Sequence, residues 1–185
     1  MKPNTPNTTH RKDYNHIQYL HRYACWTAAR AVVRTGKEGY GTLPVAAALT
    51  SIEIFKFIEN PENLTTPYKE IHTDLVKDVL KNLRKKFPQH NDDFGIGAKI
   101  IAIYFKTTLI LPALATGKSL SKCLKQIYPP IDRGVIQRNV QKQNFTWTNM
   151  NEAHYYELLD IMYSKQRTNI EKYGYWILDY EFNNQ

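Results

Sequence analysis

The fold is expected to form around the stretch Asp93-Phe94-Gly95-Ile96-Gly97-Ala98-Lys99-Ile100-Ile101-Ala102-Ile103-Tyr104-Phe105. Two glycines separated by one isoleucine can adopt backbone angles that other residues resist, which favours a tight turn. The first amide groups of the helix that follows lack partners within it and could point at a bound anion. From Ile100 to Leu111 apolar residues fall on nearly every helical face, a pattern typical of a helix in the middle of a domain. We therefore predict a central apolar helix over about 98–111.

The remaining sequence has helical patterns and no strong strand pattern. Apolar residues three or four positions apart predict helices in six further segments, at 13–34, 43–58, 67–87, 120–127, 131–140 and 150–182. The last of these segments is compatible with one long helix or with two that meet near Thr168. The prediction is an all-α fold of seven or eight helices, with a flexible N-terminal tail over 1–11 and one helical domain over 12–185.

The charge of the chain is basic and unevenly distributed. The 185 residues carry a formal net charge of +8, which favours polyanionic partners such as nucleic acid or an anionic membrane surface. Between Lys99 and Lys142 there are eight basic residues, and Asp132 is the only carboxylate. This basic middle segment is interpreted either as a surface for a phosphate backbone or as a set of solvated lysines on helix surfaces.

Several classes of protein are disfavoured by composition. Cys25 and Cys123 are far apart and have no metal-ligand or redox spacing, so two buried free thiols in a reducing cytoplasm are favoured over a single disulfide. No metal or cofactor is expected. The N-terminal residues 1–12 are polar and lack the apolar core of a secretory signal. The longest apolar run is the central helix, which is shorter than a bilayer requires and contains Lys106. We therefore predict a cytoplasmic protein that does not cross a membrane.

One arrangement of residues resembles a known family. The order Gly95-x-Gly97-x-Lys99, then an apolar helix, then Pro130-Ile131-Asp132, is similar to the helix-hairpin-helix DNA glycosylases, the endonuclease III-like and oxoguanine glycosylase-like enzymes. The resemblance covers about 94–136, a quarter of the chain. It implies that Lys99 is the Schiff-base lysine and Asp132 the catalytic aspartate. It also implies that the glycine amides contact a DNA phosphate.

The chemistry of that family sets requirements for these residues. A lysine that attacks C1′ of a flipped nucleotide must be partly uncharged, so burial and a neighbouring cation such as Arg133 would have to lower its pKa. A nearby carboxylate can stabilise positive charge that develops on the sugar and assist proton transfer. Aromatic side chains must hold the flipped base, and the candidates are Trp26, Tyr104, Phe145 and Trp147. The predicted nucleic-acid-binding residues are Gly95, Gly97, Lys106, Lys118, Lys122, Lys125, Arg133 and Arg138.

Each reactive residue also has a purely structural interpretation. A carboxylate at the position of Asp132 can complement the free amides and the dipole of a helix start. Lys99 can be a surface lysine on the first turn of its helix. The stretch 112–128 indicates an inserted helix between the two residues, and Asp93-Phe94 stands where the family has Leu-Pro.

Two non-catalytic functions remain open from the sequence. The chain can be an interaction protein that binds an acidic protein, or a helical subunit that forms a homodimer through its aromatic C-terminal helices. The stretch His21–Ala31 is similar to the opening helix of small bacterial helical proteins, a resemblance that implies no activity.

Overall fold

The computed structural model describes residues 15–33, 35–36, 39–64, 67–85, 93–117, 119–140 and 146–179. Within these ranges the chain forms nine α-helical segments and no β-strand, which confirms the predicted all-α class. The tail predicted over 1–11 lies outside the described residues, as do Lys118 and Phe145. The helices are α1 (His16–Val33), α2 (Thr42–Ser51), α3 (Lys56–Glu59), α4 (Tyr68–Arg84), α5 (Phe94–Phe105), α6 (Leu111–Ala115), α7 (Lys122–Lys125), α8 (Arg133–Asn139) and α9 (Glu152–Tyr173).

Helix α5 is buried along almost its whole length. All of its residues except Ile103 are buried, and it packs against α1, α4, α9 and a 3-10 turn at Trp147–Asn149. On the facing side of α1, alanines such as Ala24 and Ala28 are buried, and their small side chains let the two helices approach closely. Helix α4 contributes the apolar stripe that the sequence predicts, which includes Leu75, Val76, Val79, Leu80 and Leu83.

The helix that begins as α5 is longer than predicted. A π-helical segment at Lys106–Ile110 joins α5 to α6, giving one helix over Phe94–Ala115 in place of 98–111. In the π segment the amide of Leu111 donates to the carbonyl of Lys106, which widens the turn. Because proline lacks an amide hydrogen and its ring crowds the preceding turn, this wider turn lets Pro112 follow without ending the helix.

The length of this helix corrects one reason given for predicting that the chain does not cross a membrane. It has 22 residues and is long and apolar enough to cross a bilayer, so the expectation that the apolar run is too short is wrong. However, 78% of its most apolar window is buried inside the fold, as in the core helix of a globular domain.

Two other helices differ from their predicted bounds. The helix predicted over 43–58 is divided, because the chain turns at 52–55, where Glu53 has a φ of 51°. The last helix is kinked at Gln166, where the backbone leaves helical angles (φ −116°, ψ 20°), so two helical segments meet there, near the predicted junction at Thr168, and the second ends at Tyr173. The next residue, Gly174, has a φ of 92°, and a Cβ there would lie 2.7 Å from the Cα of Lys125. Glycine is therefore required where α9 ends against α7.

A buried polar group fixes the start of α5. Asp93, which precedes the helix, is fully buried, and its carboxylate forms an ion pair with Arg84 at the end of α4. The hydroxyl of Tyr40 donates to the other carboxylate oxygen. Burial and this hydrogen bond raise the pKa of Tyr40, so the phenol stays protonated. The anion beside the predicted turn is thus neutralised within the fold.

Candidate functional site around Lys99 and Asp132

The structure brings Lys99 and Asp132 together. Lys99 is only 8% exposed, and its Nζ lies 3.4 Å from Oδ2 of Asp132, across a gap of more than thirty residues in sequence. The ring of Trp147 covers the same amine, with 4.2 Å between Nζ and the ring centroid. Helix α5, the start of α8 and the Trp147–Asn149 turn therefore meet at one cluster, the Lys99–Asp132–Trp147 cluster. Lys99 is not the surface lysine of the structural interpretation.

Asp132 both caps a helix and contacts Lys99, two roles that the sequence presented as alternatives. It is the N-cap residue of α8, and its Oδ1 accepts hydrogen bonds from the amides of Gly134 (3.0 Å) and Val135 (3.2 Å). Its other oxygen faces Lys99. Pro130 and Ile131 before it are buried, so the chain enters the helix from a fixed position. The cap orients the carboxylate, and the ion pair uses the oxygen that the cap leaves open.

Burial lowers the pKa of Lys99. The loss of water around Nζ has the largest effect, and the charges of Asp132 and Asp179 and the hydrogen bond to Asp132 partly oppose it. The sequence hypothesis attributed a lowered pKa partly to Arg133, but that side chain is exposed and burial is the main cause. An amine with a lowered pKa is uncharged in a larger fraction of molecules at neutral pH, and the uncharged form is the nucleophile.

Gly95 and Gly97 do not form the tight turn that the sequence predicts before the helix. Gly95 and Gly97 lie inside the first turns of α5, and both are buried. The amide of Gly95 donates to the carbonyl of Met150 and that of Gly97 to the carbonyl of Asp93, each at 3.1 Å. A Cβ at Gly95 would lie 2.1 Å from the carbonyl oxygen of Trp147. In this arrangement Gly95 lets the Trp147 segment reach α5, and its amide is already occupied by the protein.

The aromatic candidates for holding a base are separated in the fold. Trp147 belongs to the cluster, whereas Tyr104 is buried under α1 and its hydroxyl lies 2.8 Å from Nδ1 of His21. Trp26 lies on the outward face of α1 and is half exposed. Sequence alone could not distinguish Trp147 from the others, because the 3-10 turn that aims its ring follows a polar segment without a helical pattern.

The basic residues predicted to contact nucleic acid also separate. Lys106 forms an ion pair with the buried Asp179, and Lys125 donates to the carbonyl of Lys172 at 2.7 Å, near the end of α9. Arg138 donates through Nε to the carbonyl of Gly134 within its own helix. Of these predicted basic residues that the structure describes, Lys122 and Arg133 have exposed side chains.

The Lys106–Asp179 ion pair yields a stability prediction. Replacing Lys106 with methionine removes a cation that contacts a buried carboxylate, so we expect a loss of about 3 kcal/mol in the free energy of unfolding. Urea unfolding followed by circular dichroism measures this loss. The matched control is Lys122→Met at an exposed position, where we expect a change within about 0.5 kcal/mol. Equal stability of the two variants would show that the ion pair contributes little.

A separate depression lies along α9. It has a volume of about 880 Å³, and its lining includes Lys69, Tyr156 and the carboxylates Glu152, Glu157 and Asp160. The three residues of the Lys99–Asp132–Trp147 cluster are not among those that line it. This acidic depression is therefore separate from the candidate site.

The function of the chain has to be inferred from the geometry of this cluster. In the part of the chain that the structure describes, no group of three or more His, Cys, Asp or Glu side chains is placed to hold a metal ion. The features available for a functional argument are the buried amine, the capped carboxylate and the ring beside them. No protein-family model, no curated protein and no solved structure matches the chain.

Proposed function

We propose that the protein binds DNA and has DNA glycosylase or abasic-site lyase activity, with Lys99 as the imine-forming amine and Asp132 as the carboxylate that assists it. The scaffold in this proposal is of the helix-hairpin-helix glycosylase type, with the Phe94–Ala115 helix at its centre. The observation that carries the proposal is the contact between a buried lysine of lowered pKa and a carboxylate oxygen 3.4 Å away. Perturbed groups of this kind concentrate at functional sites.

The reaction at an abasic site follows from these two groups. The uncharged Nζ of Lys99 donates its electron pair to the C1′ aldehyde carbon, and a proton moves from nitrogen to the aldehyde oxygen. Loss of water then gives the imine. Removal of a proton from C2′ of the imine expels the 3′ phosphate with the electron pair of the C3′–O bond, and addition of water then returns the amine and an unsaturated aldehyde. Asp132 lies close enough to Nζ to accept a proton from it and to return that proton to the leaving oxygen. At a nucleotide that still carries its base, the same attack breaks the C1′–N bond, and the base leaves with the electron pair and takes a proton.

Trp147 positions the amine of Lys99 while the amine is protonated. A cation–π attraction acts on the protonated lysine and is lost when the amine is uncharged. The ring therefore holds Nζ near Asp132 before reaction and releases it when the proton leaves. The aromatic face so released is of the kind on which an extruded base stacks.

The charge of the surroundings supports DNA as the substrate. The net charge of the chain is +8, and the exposed Arg133 follows Asp132 directly in sequence. A cation at this position would attract a phosphate next to the reacting sugar. Lys122 on α7 adds a second exposed cation to the predicted basic segment.

Borohydride trapping tests the proposal. The native protein is incubated with duplex DNA that contains one abasic site, and borohydride reduces any imine to a stable covalent adduct. We expect an adduct with the native protein and with Lys165→Ala, which removes an exposed lysine on α9, and none with Lys99→Ala. Asp132→Asn retains an N-capping side chain but not its charge, so the adduct should form about 100-fold more slowly.

The other outcomes point to the alternatives. An adduct that persists in Lys99→Ala would remove Lys99 from the reaction. Salt-sensitive binding of the native protein without an adduct would indicate a non-catalytic DNA-binding protein. Neither adduct nor binding would favour an acidic protein partner or self-association through the C-terminal helices.

A further inference from the structure

The outward face of α1 carries a row of exposed aromatic rings. Tyr19, Tyr23 and Trp26 are each about half exposed, and their spacing of four and three residues places them along one side of the helix. The rings of Tyr23 and Trp26 are stacked, with 5.9 Å between centroids and an angle of 26° between planes. The opposite side of α1 is buried against α5. These three rings are therefore not part of the core.

The cations on this face are arginines. Between residues 19 and 30 the exposed side chains of α1 are the three rings together with Arg22 and Arg30. At 1.5 Å per residue the two arginines are about 12 Å apart along the helix, with Tyr23 and Trp26 between them in sequence. We call these five residues the aromatic–arginine face.

Among the described helices, those closest to the aromatic–arginine face contain no carboxylate to offset these charges. Helix α1 contains neither Asp nor Glu, and the same is true of the segments that α1 packs against most closely, α2, α5 and the π-helical Lys106–Ile110. Carboxylates lie instead on helices such as α4 and α9. The face is therefore complementary in charge to a polyanion.

We propose that the aromatic–arginine face binds single-stranded nucleic acid. Bases stack on Tyr23 and Trp26, and Arg22 and Arg30 contact the phosphates on either side. Stacking on aromatic rings requires unpaired bases and tolerates any sequence, because every base has a π-face. Duplex DNA keeps its bases stacked on one another and offers this face its phosphates alone.

The composition of the face argues against two other occupants. A second copy of the chain related by a two-fold axis would set Arg22 and Arg30 against the same residues, with no carboxylate on α1 to pair with them. A face that inserts into a membrane uses several aliphatic side chains beside its aromatic ones, whereas the only exposed large aliphatic residue of α1 is Val33 at its end.

The aromatic–arginine face is distinct from the Lys99–Asp132–Trp147 cluster. Helix α1 contacts α5 through Tyr104, whose hydroxyl lies beside His21. Lys99 is five residues before Tyr104, which places the two side chains about 140° apart around the helix. Single-strand binding is therefore an inference beyond the activity proposed for Lys99, and it does not depend on that activity.

The experiment measures the affinity of the full chain for a fluorescent 15-nucleotide oligothymidylate by anisotropy, over a series of salt concentrations. We expect Trp26→Ala to weaken binding about 5- to 150-fold, the loss expected for one stacked base. The double variant Arg22→Gln/Arg30→Gln should lower the slope of log K against log salt by about 1.4, since each single-strand phosphate contact contributes about 0.7. The matched control is Tyr173→Ala, which removes an exposed ring on α9 and should leave the affinity unchanged.

Three results would overturn the inference. One is an affinity in Trp26→Ala equal to that of the native chain, with circular dichroism showing both folded. Another is a change in oligomeric state by light scattering in Trp26→Ala, which would make the face a contact between copies. The third is binding to anionic vesicles that requires Trp26 while oligonucleotide binding does not. Lys99→Ala should retain its single-strand affinity, so a failure of the proposed reaction and a failure of this inference are distinguishable.

Discussion

Replacing Gly95 with alanine is expected to destabilise the protein by about 3 kcal/mol or more and to disturb the Lys99–Asp132–Trp147 cluster at the same time. The added Cβ would lie 2.1 Å from the carbonyl oxygen of Trp147, a distance that no side-chain rotation relieves. In an ordinary helix the same substitution would be favourable by about 1 kcal/mol, because alanine is the better helix former. The sign of the effect therefore depends on whether Trp147 is seated against α5.

Urea unfolding and the trapping reaction measure the two consequences. The unfolding midpoint reports the clash, and the rate of adduct formation reports the displacement of Trp147 from the amine. The control is Gly41→Ala, since a Cβ at Gly41 would make only an ordinary contact of 3.8 Å with Pro44. That change should cost at most about 1 kcal/mol, as expected for an N-cap glycine replaced by alanine. A stable Gly95→Ala variant would mean that the turn at Trp147–Asn149 does not pack there.

The stability of the protein is expected to fall as the pH drops below about 6.5, and His72 is the main source of this dependence. His72 is fully buried, its Nδ1 lies 2.9 Å from the hydroxyl of Tyr156, and its ring stacks on Tyr155. Burial lowers the pKa of His72 to about 3, whereas an unfolded histidine titrates near its ordinary value of 6.5. Burial and Arg22 lower the pKa of His21 as well, in the same direction.

The sign of the effect follows from proton binding in the two states. Well above pH 6.5 neither the folded nor the unfolded chain binds a proton at His72, so His72 does not reduce the free energy of unfolding there. Between pH 6.5 and 3 the unfolded chain gains a proton that the folded chain excludes. Each pH unit in this range therefore removes up to about 1.4 kcal/mol from the free energy of unfolding.

Urea unfolding at pH 7.0, 6.0, 5.0 and 4.5 tests this dependence. We expect His72→Gln to be less stable than the native protein at pH 7 but to lose less stability between pH 6 and 4.5, because the amide does not titrate. The matched variant is His154→Gln, an exposed position that should keep the native slope. An unchanged slope in His72→Gln would mean that His72 is not buried in its neutral form.

The all-α class could be predicted from the spacing of apolar residues, because each long helix buries one stripe or, in α5, nearly every side. The division of 43–58 could not, since neither glycine nor proline marks 52–55 and Glu53 takes a positive φ without a sequence signal. The passage of Pro112 through a helix depends on the π-helical turn before it. Turn and breaker residues predict local preferences, and tertiary packing overrode them at these places.

The resemblance singles out the residues of the candidate site, but the sequence could not show that their side chains meet. The resemblance pairs Lys99 with Asp132, and the structure brings the two together. The burial of the amine and the ring of Trp147 arise from segments far apart in sequence, so no local pattern could reveal them. The paired glycines did signal an unusual backbone, but in the structure Gly95 serves a close approach of Trp147.

The double use of Asp132 has an entropic consequence. Because two backbone amides hold Oδ1, the side-chain torsions of this carboxylate are already fixed when the chain folds. Its other oxygen consequently faces Lys99 in a single orientation rather than sampling several. A reaction at this pair would begin with its proton acceptor oriented, so little rotational freedom would be lost on the way to the transition state.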